Sequence, residues 1–294
     1  MDLQGVIPPV VTPLTGRPGE VDREALREFA RWLVASGADG LFPCGTSGEF
    51  ASLSRAERRA VIDTVAAAVD VPVLAGCGAT SVGDALGLME DAAEAGADAA
   101  VVVTPYYFSG TQAGLREFYE ALLAEAPLPV VLYNIPGLAG ARLEAATVGA
   151  LAEREGAIAL KDSTGDLAHL QRVLEATPAG FDVLQGATAD ALSALDLGVD
   201  GLVPGEGNAL PGAFAEIVAA HGAGERDRAA AVFRERVMPV TGTITDMPTL
   251  PAIKHLVGLA GHDAGPPRPP LGELSEADRE RLAAVYDRGE RSNV

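Results

Sequence analysis

Apolar positions along the chain follow two alternating patterns. Short runs rich in Val, Ile, Leu and Ala are separated by longer stretches with helical spacing. The runs predict strands over 5–12, 40–45, 72–76, 99–104, 129–134, 157–161, 182–186 and 201–204. The stretches predict helices near 22–36, 54–68, 81–95, 111–125, 143–154, 166–176, 189–197 and 210–221. Capping signatures open two of them, Ser54 with Glu57 and Ser81 with Asp84, and Gly37, Gly96 and Gly198 stand where helices should stop. A faint repeat, SGADGL (36–41), AGADAAV (95–101) and LGVDGLV (197–203), sets Gly and Asp between a helix end and an apolar strand each time.

Strands this continuously apolar belong to a parallel sheet covered on both faces, and eight β–α units in series predict closure into a (β/α)8 TIM barrel. An open doubly wound sheet would call for a Gly-rich nucleotide fingerprint after its first strand, and TPLTGRPGE lacks that spacing. Beyond residue 222 the pattern turns wholly helical: GERDRAAAVFRERV, MPTLPAIKHLVGLAG and SEADRERLAAVY, with the proline-stiffened AGPPRPPLGEL (264–274) before the last. This divides the chain into a barrel, 1–222, and a three-helix C-terminal extension, 223–294, expected to serve packing and subunit contact.

Composition narrows the function classes. At 294 residues and 48% hydrophobic the chain has ample core, and a net charge of −19 repels phosphate backbones and anionic membranes, so neither nucleic acid nor a membrane is an expected partner. No apolar run approaches the roughly 20 residues of a membrane helix, and the opening MDLQGVIPP lacks a secretory pattern. Two cysteines, Cys44 and Cys77, make no disulfide framework and fit a reducing, cytoplasmic setting as buried thiols.

A barrel presents its chemistry at the C-terminal ends of its strands. Those ends carry Thr12-Pro13, Gly45-Thr46-Ser47-Gly48-Glu49, Cys77, Thr104 to Tyr107, Tyr133-Asn134, Lys161-Asp162-Ser163, Gly186 and Pro204 to Asn208. Only two of the 22 basic residues are lysines, Lys161 and Lys254. A chain that otherwise uses arginine keeps a lysine where an amine must shed its proton and attack a carbonyl carbon, so Lys161, ending AIALK, is the candidate nucleophile. Lys254, in a C-terminal helix, reads as structural. Tyr133 ends the neighbouring strand, as proton shuttle or aromatic plug. Of Tyr106 and Tyr107 at most one faces the pocket directly, because successive side chains diverge. Backbone N–H groups of the GTSG turn, with Gly48 allowing close approach, suit a small carboxylate. No metal site is expected, since His169, His221, His255 and His262 lie away from strand ends without partners at ligand spacing. Glu206 after the last strand disfavours a phosphate site.

GTSGEFASLS (45–54), TPYY (104–107), YNIPGLAG (133–140), KDSTGD (161–166) and GLVPGEGN (201–208) stand in an order and spacing that resembles the pyruvate-dependent class I aldolases. That family comprises dihydrodipicolinate synthase, N-acetylneuraminate lyase and 2-keto-3-deoxy sugar acid aldolases, and the resemblance covers the whole chain. It implies that Lys161 forms a Schiff base with the 2-keto carbon and that Tyr133 relays protons, with Thr46 and Tyr107 completing the relay. Tyr107 would reach in from a neighbouring subunit of a homotetramer. Ser47, with the Thr46 and Ser47 backbone, would hold the pyruvate carboxylate, and Gly186 and Val203 would line its pocket. The imine serves as electron sink, so no cofactor is expected.

Two departures bear on the substrate. Synthases of this family usually carry an arginine in the tyrosine-strand motif; here that place is Leu138, and Arg142 lies four residues on. Where N-acetylneuraminate lyases carry acidic residues, GATAD (186–190) sets Thr188 and Ala189. The expected substrate is therefore a 2-oxo acid of the 2-keto-3-deoxy sugar acid kind, cleaved reversibly to pyruvate and an aldehyde. A sugar-acid dehydratase or a synthase-like condensation through the same imine are the alternatives. A non-catalytic binding paralogue would lack a nucleophile or relay group, and all four are present.

Overall fold

The structure, a computed structural model, describes residues 1–291 apart from Asp2 and Pro18, so the last three residues of the predicted extension lie outside the described residues. Strands β1 (Gly5–Val6), β2 (Leu74–Gly76), β3 (Ala99–Val103), β4 (Val130–Asn134), β5 (Ala157–Asp162), β6 (Asp182–Gln185) and β7 (Gly201–Leu202) form one parallel sheet in the order β1-β7-β6-β5-β4-β3-β2. The predicted second strand, 40–45, closes the gap between β1 and β2 without forming a full ladder. Phe42 donates to the Pro8 carbonyl at 3.0 Å, Leu41 to Pro72 at 2.9 Å, and Leu41 accepts from Leu74 at 2.8 Å. The ring is thereby complete, as a TIM barrel requires.

The reductions have backbone causes. Pro8 and Pro9 truncate the predicted 5–12 strand because neither has an N–H to donate. Pro43 does the same within 40–45, and Cys44 then turns left-handed at φ 57°.

Helices α1 (Arg23–Ala35), α2 (Arg55–Ala66), α3 (Val82–Glu94), α4 (Gln112–Glu125), α6 (Ala145–Ala152), α7 (Leu167–Ala176), α8 (Ala191–Leu197) and α9 (Pro211–Gly222) surround the ring where spacing predicts them; the short α5 (Pro136–Ala139) was not expected. The Ser54 capping box and the Ser81 cap are both formed. The sequence repeat has a geometric meaning. Gly37, Gly96 and Gly198 take φ of 101°, 87° and 97° at helix ends. Two residues later Asp39, Asp98 and Asp200 each accept from a neighbouring strand's N–H, those of Val6, Val73 and Val183, at 2.8, 2.9 and 2.7 Å.

The extension runs as α10 (Arg226–Val232), a π turn (Phe233–Val237), α11 (Met238–Ile244), α12 (Thr249–Leu259) and α13 (Glu276–Arg291), so the first predicted helix continues further than expected. Its Val237, Ile253, Leu256 and Leu282 belong to the same hydrophobic core as the outer ring of helices. Among the described residues no helix is long and apolar enough to cross a membrane.

Candidate active site

The two-residue alternation of strands decides what enters the barrel. Val131 and Tyr133 of β4 and Ala159 of β5 face inward with Phe42 and Val103, while Leu132 and Leu160 join the outer core. Lys161, two residues after Ala159 and in register with Tyr133, therefore rises inside the mouth of the ring. The outward residues brace these strands from behind: Asn134 Nδ2 donates to Asp162 Oδ2 at 3.0 Å, and the buried His169 of α7 brings Nε2 to 3.4 Å from the same carboxylate.

Lys161 is 5% exposed. Its Nζ lies 4.4 Å from the ring centre of Tyr133 and 4.9 Å from that of Phe42. Burial pushes the amine below the ordinary lysine range, and the Tyr133 phenol offsets part of that shift. The Tyr133 hydroxyl in turn sits 3.3 Å from Thr46 Oγ1, and its ring meets Phe42 edge-on. Amine, phenol and threonine hydroxyl are thus contiguous. Cys44 and Cys77 are buried free thiols, and desolvation pushes Cys44 up to about 12, so neither competes as nucleophile.

These groups open into a cavity of about 580 Å³. Ser47, Gly186, Thr188 and Val203 line it together with Thr46, Tyr133 and Lys161. Gly48 does not, and Tyr107, expected to serve a neighbouring copy, lies outside the cavity of its own chain. Gly48 sits behind the turn, where its carbonyl accepts from Thr12 at 2.8 Å and a Cβ would come within 2.9 Å of the Val10 carbonyl oxygen; it lets the backbone pack rather than facing a ligand. Tyr107 is 89% exposed at φ 83°, stacked edge-on against Phe108, and it is Tyr106 that borders the adjoining apolar recess beside Phe50.

Two further strand-end residues, Ser163 and Glu206, face the cavity, the latter accepting from Thr188 Oγ1 at 2.5 Å. The cavity also has walls that the strand-end rule omitted. Thr241, Thr249, Leu250 and Ile253 come from the extension, which was assigned only packing and subunit contact. The periodicity of MPTLPAIKHL signalled a helix with one buried face but not what that face covers. Leu138 is on the wall as well, 66% exposed, whereas Arg142 turns away to Asp166 at 2.8 Å.

Gly186 lies against the nucleophile. A Cβ there would come within 2.8 Å of Lys161 Cε and 2.1 Å of Ser163 Oγ. Gly186→Ala is expected to displace the amine and lower kcat/KM by roughly 10²-fold with the circular dichroism spectrum unchanged; a fully active variant would show that the amine has room to spare.

Comparisons with known proteins agree with this geometry. The profile of the "Dihydrodipicolinate synthetase family" matches residues 2–288. A 4-hydroxy-tetrahydrodipicolinate synthase of Syntrophus aciditrophicus is 36% identical over 284 residues, covering 96% of this chain and 97% of the relative. A DapA-like lyase of Halobacterium salinarum is also 36% identical, covering 97% and 93%. Among solved structures, YagE, a prophage protein of the dihydrodipicolinic acid synthase family from E. coli K12 in complex with pyruvate, superposes with a TM-score of 0.93 at 32% identity, covering 98% of this chain and 99% of that one. The chain belongs to the dihydrodipicolinate synthetase family, an enzyme family of Schiff-base-forming pyruvate aldolases and condensing enzymes.

Proposed function

We propose that the chain cleaves a 2-keto-3-deoxy sugar acid reversibly to pyruvate and an aldehyde through an imine on Lys161. The observation that carries this reading is a lysine buried between two aromatic faces, with its proton affinity lowered, beside a phenol hydrogen-bonded to a threonine. The neutral amine adds to C2 of the keto acid, and the former carbonyl oxygen leaves as water with one proton from the amine and one from solvent, which gives a protonated imine. Its positive charge draws the electron pair of the C3–C4 bond into an enamine as the C4 hydroxyl gives up its proton to Tyr133, with Thr46 next in the relay. The aldehyde leaves, C3 takes a proton, and water hydrolyses the imine to release pyruvate. The imine is the electron sink, and the reaction calls for no metal or nucleotide.

Ser47 and the turn backbone would hold the carboxylate, Gly186 and Val203 the pyruvate methyl side, and Thr188, Thr241 and Thr249 the hydroxyls of the sugar chain. A condensation with a carboxylated aldehyde is the second reading, favoured by the names of relatives such as the Syntrophus synthase. Against it, the cavity wall carries Leu138 and no arginine among the described residues. The exposed Tyr107 would serve a neighbouring copy in a homotetramer, and the buried free thiols suit the cytoplasm.

Borohydride trapping with pyruvate, followed by intact mass and peptide mapping, tests the reading. A stable adduct on Lys161 is the expected result, and its absence at saturating pyruvate would overturn the imine. Product analysis with 2-keto-3-deoxy sugar acids, set against pyruvate plus aspartate semialdehyde, then separates cleavage and dehydration from condensation.

A further inference from the structure

We propose that the buried Lys254–Glu49 ion pair is a positioning device that ties helix α12 to the Thr46-Ser47 turn and holds that turn in register with Lys161. The inference rests on the imine reading above and extends it to a residue of the C-terminal extension.

Lys254 is the second of the two lysines, and it is as hidden as the first. Its Nζ lies 2.5 Å from Glu49 Oε1 and 3.3 Å from the Pro266 carbonyl, with the two side chains 3% and 0% exposed. Burying two charges is costly, and an apolar pair of the same volume would often be as stable, so the pair serves geometry better than stability.

The place it fixes is the end of the turn facing the substrate. Glu49 is held at φ 57°, a conformation that side-chain-bearing residues rarely adopt, and Cys44 at the other end of the turn has the same φ. The Glu49 N–H donates to the Thr46 carbonyl at 3.0 Å, so a shift of residue 49 is passed directly to Thr46. The second oxygen of Glu49 accepts from the Arg268 N–H at 2.8 Å, and the Arg268 guanidinium holds the Ser52 and Gly19 carbonyls and the Glu57 carboxylate. The turn is thus anchored from the extension, by side chain at Lys254 and by backbone at Arg268.

The same helix reaches the cavity directly. Thr249, Leu250 and Ile253 of α12 form its wall, while Lys254, one residue on, passes beneath the turn. One rigid element therefore sets both the distal wall and the carboxylate end of the site. Movement of α12 relative to the ring would change both together.

The test uses Lys254→Met, Glu49→Gln and the double variant, reading the pyruvate concentration that half-saturates borohydride trapping. Each single variant is expected to raise that concentration by roughly tenfold while the plateau of adduct on Lys161 stays at the wild-type level. The double variant removes both buried charges; it should regain melting temperature yet keep the raised half-saturation, because the tie is still absent. A merely structural pair would lower the melting temperature and leave half-saturation within about twofold of wild type, and recovery of both quantities in the double variant would equally overturn the proposal.

Glu49→Gln keeps an oxygen for the Arg268 N–H and carries the test if Lys254→Met proves insoluble. Amide exchange over residues 44–53 in the substrate-free protein gives a readout independent of the reaction: faster exchange in the variants supports the tie, and unchanged protection overturns it. If the wild-type protein forms no adduct, the imine reading fails by itself, and the exchange result still decides whether the pair holds the turn.

Discussion

Lys161→Met is expected to remove adduct formation and to cut turnover on the order of 10⁴-fold or more, while raising the melting temperature. The two effects share one cause. An amine enclosed by Tyr133 and Phe42 has lost its water, so at neutral pH the folded protein carries either a desolvated ammonium or the cost of discharging it. Methionine has nearly the same length and no charge to solvate. The gain should be about 1–2 kcal/mol, a few degrees in a chain of this size.

Its pH dependence follows from the direction of the shift. The unfolded chain holds the lysine proton up to the ordinary value of 10.5, and the folded chain releases it earlier. Between those two points the unfolded state binds more protons, so wild-type stability rises with pH. The advantage of the methionine variant is therefore largest below the depressed folded value and shrinks as pH approaches 10.5. Calorimetric melting of both proteins at about pH 7 and about pH 10 checks this. A variant that melts lower at both values would mean that the amine is not a stability cost.

Tyr133→Phe separates the ring from its hydroxyl. The ring stays over Lys161 Nζ and edge-on to Phe42, so the imine should still form and trapping should still reach its plateau. What disappears is the oxygen 3.3 Å from Thr46 Oγ1, and with it the path for the proton of the substrate hydroxyl. Turnover should fall on the order of 10³-fold. Steady-state rates measured beside trapping yields would show the split; a variant with wild-type turnover would reduce Tyr133 to the aromatic plug that the sequence also allowed.

The frame of the barrel was legible because its signals are local. A Ser54–Glu57 box, a glycine that must be left-handed and an aspartate two residues later each work within a few positions of chain, and the structure uses them as expected. Lys161 was legible through scarcity and Tyr133 through its place at the end of the neighbouring strand, and period-two alternation turns both into the ring. Strand lengths were overread where Pro8, Pro9, Pro43 and Cys44 interrupt pairing inside apolar runs. The contribution of Thr249, Leu250 and Ile253 was hidden for a different reason. Spacing shows that a helix has a buried face but not which distant surface it meets, and here the face meets the open end of the ring. Gly48 shows the converse, a residue in the right turn whose backbone is spent on packing against Val10.

Both lysines of this protein are shut away, one inside the ring and one beneath its rim. Apart from the amino terminus, the outer surface therefore carries its fixed positive charge on guanidinium groups, and acylating reagents too bulky to enter the cavity find no lysine within reach in the native fold. Attachment to a support, crosslinking or dye labelling through side chains would proceed by way of the abundant carboxylates instead. The same absence turns into an advantage for following unfolding: acylation of Lys254 by such a reagent would mark the moment the ring and its helical cover come apart.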